Sequence, residues 1–402
     1  MERAGLFRRG GGAIGRWLPW LAGGALSVQL FYTDFTHASG GALEGKAFWG
    51  RDFVNLWGGG HLLREGDAAA IYEVDRYREF LSTLFGPLKP HNYSYPPLTF
   101  PIAELFSLLP YWLALAAWLL GTGALFVWAA RPWWPQRFGT PWLALLTPAA
   151  LINIWAGHYG FLLGALFLAG WRSIERDRPT AAGLCFGAML VKPHLAVLVP
   201  LALLLRRQWR AIAVAAVTVA ALVAATSAAY GWQTWVDFLF GAGAHQAGLL
   251  DAGRSFYGYM STSLATALLR FSDDLGIALA AQGLLAAGAV TGLIVAARRG
   301  VPTAELAMLT ATATFLVLPY AFNYDLMAVT IAALRLWADE RATRLERWAA
   351  VAGFVAPQIG LLLAPLDPPA MPLMLAALYA AQLSVALRTS GRAAPAAAAA
   401  AR

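Results

Sequence analysis

The sequence predicts an all-α, polytopic membrane protein with about 12 transmembrane helices. Three observations carry this. Hydrophobic residues fill 59% of the 402 positions and only 13% are charged, about half the charged share of a soluble domain. Mean hydropathy is +0.56. Long apolar runs are separated by short arginine-containing breaks, without the strict polar alternation of an outer-membrane barrel.

The first apolar segment, 17–36, follows RRGGGAIGR and lacks a small-residue cleavage site. It is expected to remain as an anchor. Further spans are expected at 110–130, 140–156, 159–171, 179–191, 194–205, 211–230, 275–297, 303–319, 325–338, 348–364 and 370–387. Several are short for a hydrocarbon core of roughly 30 Å. Residues 98–109 are apolar but proline-broken, which suits an interfacial helix and not a crossing. GDAAAIYEVDRYREFLSTLFG reads as an amphipathic helix on the membrane surface. Residues 1–390 are expected to form one membrane domain, and the Ala-rich 391–402 a disordered tail.

Charge sets the orientation. Arg8/Arg9/Arg16, Arg131/Arg137, Arg172/Arg176/Arg178, Arg206/Arg207/Arg210, Arg298/Arg299, Arg335/Arg341/Arg344/Arg347 and Arg388/Arg392 all fall on one side and hold most of the 30 Lys and Arg. The positive-inside rule makes that side cytoplasmic, with both termini there and the protein in the inner (plasma) membrane. The formal charge of +8 is then a topogenic signal and does not point to nucleic acid. Segments 38–109 and 231–274 face outward. So do all six histidines: His37, His61, His91, His158, His194 and His245. They form no close cluster, which argues against a metal site. Cys185 is the single cysteine, so neither a disulfide framework nor a cysteine metal site is expected.

Polar groups recur at the outer helix ends. In FWGRDFVNLW, Arg51 and Asp52 stand among aromatic residues. Asn153 and Gly157–His158 lie between two spans, Lys192 and His194 in MLVKPHLAVL, and Asn323, Tyr324 and Asp325 in LPYAFNYDLM. A lysine after GLCFGAML costs roughly 2.5–3.5 kcal/mol if held deep in a helix. It either snorkels to head groups or offers a compact cation to a phosphate, helped by His194. Asp52 is either tied up by Arg51 or backbone amides, or is a general base for an acceptor hydroxyl. Asp325 is either a cap for the following helix or a catalytic group. His158 is either an interfacial hydrogen-bonding residue or part of the site.

Several stretches carry a resemblance: RDFVNLWGGGHLLREGDAAAIYE, YSYPPLTFPIAELFSLLPYWLALAAW, LINIWAGHYGFLLGALFLAG, PTAAGLCFGAMLVKPHLAVLVPLALLLRRQWRA, YGYMSTSLATALL and PYAFNYDLMAV. In this order they resemble the polyprenyl-phosphate-dependent mannosyltransferase-like proteins of the GT-C superfamily, which include the mycobacterial phosphatidylinositol-mannoside mannosyltransferases. The resemblance implies a GT-C-like fold. It implies inverting, metal-independent transfer of a hexose, mannose being the implied sugar, from a polyprenyl-phosphate sugar to a glycolipid or glycan acceptor on the periplasmic face. The lipid-linked sugar is a substrate, and no cofactor is implied. Asp52 would be the base. Lys192, His194 and Arg51 would hold the donor phosphate, with His158, Asn153, Tyr95, Asn323, Tyr324 and Asp325 around the substrates. The family usually has Gly–Gln where this chain has Gly157–His158, a departure at the sugar site.

A secondary transporter or lipid flippase is the alternative, since about 12 spans is a common transporter size. Transporters place their charged residues near the bilayer midplane on broken helices in repeated halves. This sequence shows no internal repeat, and its polar residues gather at the outer helix ends.

Overall fold

The computed structural model describes parts of 17–32, and residues 42–43, 47–88, 91–242, 256–363, 366 and 369–400. Arg8, Arg9, Arg16, His37, His245 and residues 243–255 of the second outer segment lie outside the described residues. Regular structure is helical apart from one small ribbon in the first outer segment. There β1 (Ala42–Leu43) pairs antiparallel with β2 (Ala47–Phe48), Ala42 opposite Phe48 and Leu43 opposite Ala47.

That outer segment continues through α1 (Phe53–Arg64), α2 (Val74–Phe85) and α3 (Phe100–Ser107). The amphipathic pattern falls on α2, which buries Tyr77 and Leu81. Tyr77 donates to the Asn55 carbonyl at 2.9 Å and so ties α2 to α1. Across the exposed face, Arg76 bridges Asp67 and Glu73. With eight residues, α3 extends about 12 Å, too short to cross a bilayer. It packs against α1, and Arg64 of α1 donates to the Ser107 carbonyl at 3.1 Å.

The bundle follows: α4 (Tyr111–Ala130), α5 (Pro148–Ala156), α6 (Gly160–Glu175), α7 (Pro179–Ala188), α8 (Val199–Leu205), α9 (Trp209–Tyr230), α10 (Leu275–Arg298), α11 (Thr303–Val317), α12 (Met327–Ala338), α13 (Arg344–Leu362) and α14 (Ala370–Ala400). Among the described residues, four helices have the length and composition to cross: Tyr111–Trp133, Trp209–Tyr230, Leu275–Arg298 and Ala370–Arg388. Shorter apolar pieces, Pro179–Val191, Pro193–Leu205, Thr303–Val317 and Met327–Ala338, coincide closely with four of the short spans expected. Proline and polar residues cause the breaks. The expected span 140–156 is likewise split, into a 3-10 turn Pro141–Leu146 and α5, because Pro148 starts a new helix. The helical backbone of α14 extends to Ala400, and alanine has a high helix propensity.

The short pieces pair as hairpins. Gly183 of α7 faces Val214 of α9, and Gly187 faces Thr218, so α7 and α9 run parallel. Pro193–Leu205 must therefore return between them, which puts Lys192 at a turn. At the opposite end arginines link the helices. Arg206 donates to the Val301 carbonyl and Arg137 to that of Trp337. Arg388 meets Glu346 at 2.7 Å.

Candidate functional site

Three hairpin tips converge. The first is Gly157–His158–Tyr159 between α5 and α6, where Gly157 ends α5 in the left-handed conformation (φ 68°) that glycine adopts without strain. The second is Lys192. The third is Asn323–Asp325, a 3-10 turn between α11 and α12. Tips one and three touch: a Cβ at Gly160 would lie 2.3 Å from the Tyr324 carbonyl oxygen. The second outer segment braces tip three, since Thr262 donates its backbone N–H to the Ala321 carbonyl at 2.9 Å and Ser261 bridges to Phe322. The tips are sunken. Trp118 donates to the His158 carbonyl at 3.4 Å from seven residues inside the start of α4, about 10 Å along the helix.

Asp325 is the hub. Its Oδ2 accepts from Lys192 Nζ at 2.7 Å, and its Oδ1 lies 3.6 Å from His158 Nδ1. The capping reading fails, because the N-cap of α12 is Leu326 and no side chain caps it. Burial pushes the Asp325 carboxyl above its ordinary range, and the Lys192 ammonium opposes that shift. Lys192 does not snorkel. It is 8% exposed, ion-paired, and 5.0 Å from the centre of the Tyr324 ring. Nor is it the free cation that its sequence position suggested. The His158 ring stacks on Tyr324 at 4.1 Å and meets the Tyr95 hydroxyl through Nε2 at 3.1 Å. Burial, with the charges of Lys192, His194 and Arg51 acting on it, pushes His158 well below the ordinary imidazole range. A proton on Nδ1, facing Asp325, leaves Nε2 to accept from Tyr95.

Asp52 faces this cluster from the first outer segment. It occupies the N-cap of α1 yet makes no capping hydrogen bond, so its carboxylate is not spent on its own helix. Its backbone N–H donates to the Ala156 carbonyl at 2.8 Å and thereby docks α1 on the first tip. Burial raises its pKa, while Arg51, His91 and Lys192 pull it down. Asp52 and Asp325 are close enough for the Asp52 charge to push Asp325 up. Arg51 sets its guanidinium 5.7 Å from the Trp155 ring centre, and its carbonyl accepts from His91 Nε2 at 3.1 Å.

The remaining expected residues divide by task. Asn153 Oδ1 accepts from the Gly160 N–H at 2.9 Å, and Asn323 Nδ2 donates to the Pro357 carbonyl at 2.6 Å. Both amides hold tips in place. His194 lies close enough to Lys192 and His158 to interact electrostatically with both, and its ring is 6.5 Å from that of Tyr320. Sequence reasoning missed Tyr159, whose buried hydroxyl has no partner and whose ring is 4.7 Å from that of Tyr95. Its place directly after Gly157–His158 was the available signal. Further polar atoms here are buried without hydrogen bonds: Asn153 Nδ2, His158 Nδ1, Asn323 Oδ1 and Asp325 Oδ1. Buried polar atoms are rarely left so, and a cluster of them suits a polar ligand. No group of three or more His, Cys, Asp or Glu that could hold a metal ion occurs among the described residues.

Beside the second tip the chemistry changes over one residue. Pro193 lines a cavity of about 490 Å³ whose lining side chains are all apolar, including Phe186, Leu190, Val197, Leu203 and Val219. A polar site and an apolar groove therefore meet at Lys192–Pro193.

A model of glycosyltransferase family 87 matches residues 93–319. That range holds Tyr95, Asn153, His158, Lys192 and His194, while Asp52 and Asp325 lie on either side of it. No curated protein and no solved structure matches.

Proposed function

The chain belongs to glycosyltransferase family 87 and is a membrane glycosyltransferase, and on that premise we propose that it transfers a hexose, mannose being the implied sugar, from a polyprenyl-phosphate sugar to a glycolipid or glycan acceptor, with inversion and without a metal. The observation that carries this reading is the Lys192–Pro193 junction. A lipid-linked phosphate needs a polar site for its head beside an apolar groove for its chain.

In this scheme the isoprenoid lies along the groove between α7, α8 and α9. The phosphate faces the Lys192 N–H groups not used on Asp325, with Arg51 and His194 as further donors. The sugar packs against His158, Tyr95, Tyr159 and Tyr324. Asp52 accepts the acceptor hydroxyl's proton as that oxygen bonds to the anomeric carbon from the opposite face. The carbon–phosphate oxygen bond breaks, and the polyprenyl phosphate leaves with one added negative charge. Lys192 balances that charge, while Asp325 fixes the ammonium in place. The arginine-rich end is the cytoplasmic one in this reading, which puts the site on the periplasmic side of the inner membrane.

The test is mass spectrometry of membrane glycolipids and envelope glycans from cells with and without the protein, and with Asp52→Asn. A hexose lost in both altered strains supports the proposal. Unchanged glycans with altered solute or lipid movement would replace it with transport.

A further inference from the structure

A polar cavity lies at the arginine-rich end, at the other end of α12 from Asp325. It has a volume of about 260 Å³ and is enclosed by the ends of α11, α12 and α14. Its polar wall consists of Glu305, Arg335, Asp339, Arg341 and Gln382, and the rest is largely apolar.

The two arginines of the wall are held differently. Arg341 bridges Glu305 at 2.8 Å and Asp339 at 2.7 Å. Arg335 is fixed by donating Nη1 to the Trp133 carbonyl at 3.2 Å, with its guanidinium 5.8 Å from the Trp133 ring centre. Gln382 also lines the cavity and is 7% exposed. Neither its Nε2 nor its Oε1 has a hydrogen-bond partner. A buried amide with both ends unmatched costs roughly 1–3 kcal/mol for each group left unpaired, and a ligand with both a donor and an acceptor would remove that cost.

The wall carries two guanidinium groups and two carboxylates, so its formal charge is zero. A bare anion meets the Glu305 and Asp339 carboxylates, and a bare cation meets the Arg335 and Arg341 guanidinium groups. A ligand with separated charges satisfies both. The cavity also sits beside Arg388, where the span Ala370–Arg388 ends, at head-group depth for a helix that crosses.

We propose that this cavity binds a phosphoethanolamine group: a phosphodiester that accepts from Arg335 and Gln382 Nε2, and a primary ammonium that donates to Gln382 Oε1 and the Glu305–Asp339 carboxylates. The group comes from a membrane lipid or from a soluble phosphodiester, and the same chemistry serves both.

The experiment is native mass spectrometry of the full chain in detergent. The probes are phosphatidylethanolamine, phosphatidylcholine and phosphatidylglycerol with matched acyl chains, and water-soluble glycerophosphoethanolamine. Phosphatidylethanolamine is expected to bind about tenfold more tightly than the other two lipids, the scale of one or two charge-assisted hydrogen bonds. Gln382→Leu and Arg335→Gln should each remove most of that preference, and either variant suffices if the other fails to fold. Glycerophosphoethanolamine binding as tightly as the lipid assigns the site to a soluble ligand of the same chemistry. Equal retention of all three lipids without glycerophosphoethanolamine binding overturns the proposal, as does a preference that survives in the variants.

Discussion

Lys192 Nζ and Asp325 Oδ2 lie 2.7 Å apart across 133 residues of sequence, joining two hairpin tips through one buried ion pair. Removing one partner leaves the other charge in a desolvated site. Lys192→Met and Asp325→Leu should each destabilise the protein by about 3–5 kcal/mol. The double variant should lose less than the sum of the two, because neither charge is then stranded. Thermal unfolding of the four proteins in one detergent measures this. Additive losses would mean that the pair contributes no coupling.

Asp52→Asn should lower sugar transfer by roughly 10²–10⁴-fold, the usual range for a general base, with the melting temperature kept. The uncommitted N-cap carboxylate is the reason to expect little structural cost. Transfer from a purified polyprenyl-phosphate sugar is the readout, and full activity in the variant would remove Asp52 from the chemistry.

The pH profile follows from the same residue. A base must be ionised to act, so activity should rise with pH through the Asp52 pKa. Burial raises that pKa above the ordinary 3.8, so the acid limb should lie above that of an exposed aspartate. The His158 pKa is pushed well below 6.5, so His158 should contribute no limb near that pH. An initial-rate profile in wild type and His158→Gln tests both points. A limb near 6.5 that vanishes with His158 would show that it titrates in the working range.

Gly160→Ala should cost about 1–3 kcal/mol through overpacking, since the added Cβ would lie 2.3 Å from the Tyr324 carbonyl oxygen. Activity should fall further than stability alone accounts for, because the displaced tip carries Asp325. Comparing transfer rate with melting temperature separates the two effects.

Much of the site was legible because polar residues at the ends of apolar runs are costly and therefore conspicuous. Lys192, His158 and Asp325 stood out on that ground, and the structure brings all three together. Their partnerships were not legible. Nothing in MLVKPHLAVL says that its lysine will meet the aspartate of FNYDLM, because that contact depends on how two hairpins pack. The capping role assigned to Asp325 failed by one position, since the helix starts after Leu326. Asn153 and Asn323 looked like ligands, yet their amides are used to hold turns. Composition marked the apolar pieces correctly. Prolines and a lysine cut several of these pieces to 10–17 residues, below the roughly 20 of an untilted crossing.

The Lys192–Asp325 pair also sets a timetable for synthesis. At about 5–20 residues per second, Lys192 is made roughly 7–27 s before the carboxylate that neutralises it. During that interval the first half of the chain holds an ammonium with no counter-charge at that position, and the hairpin bearing it has reason to stay near the membrane's edge. Completion of α11 and the turn after it supplies the missing charge. The candidate site is thus closed only once α11 and the turn after it have left the ribosome, and a chain halted before residue 325 would lack the carboxylate that pairs with Lys192.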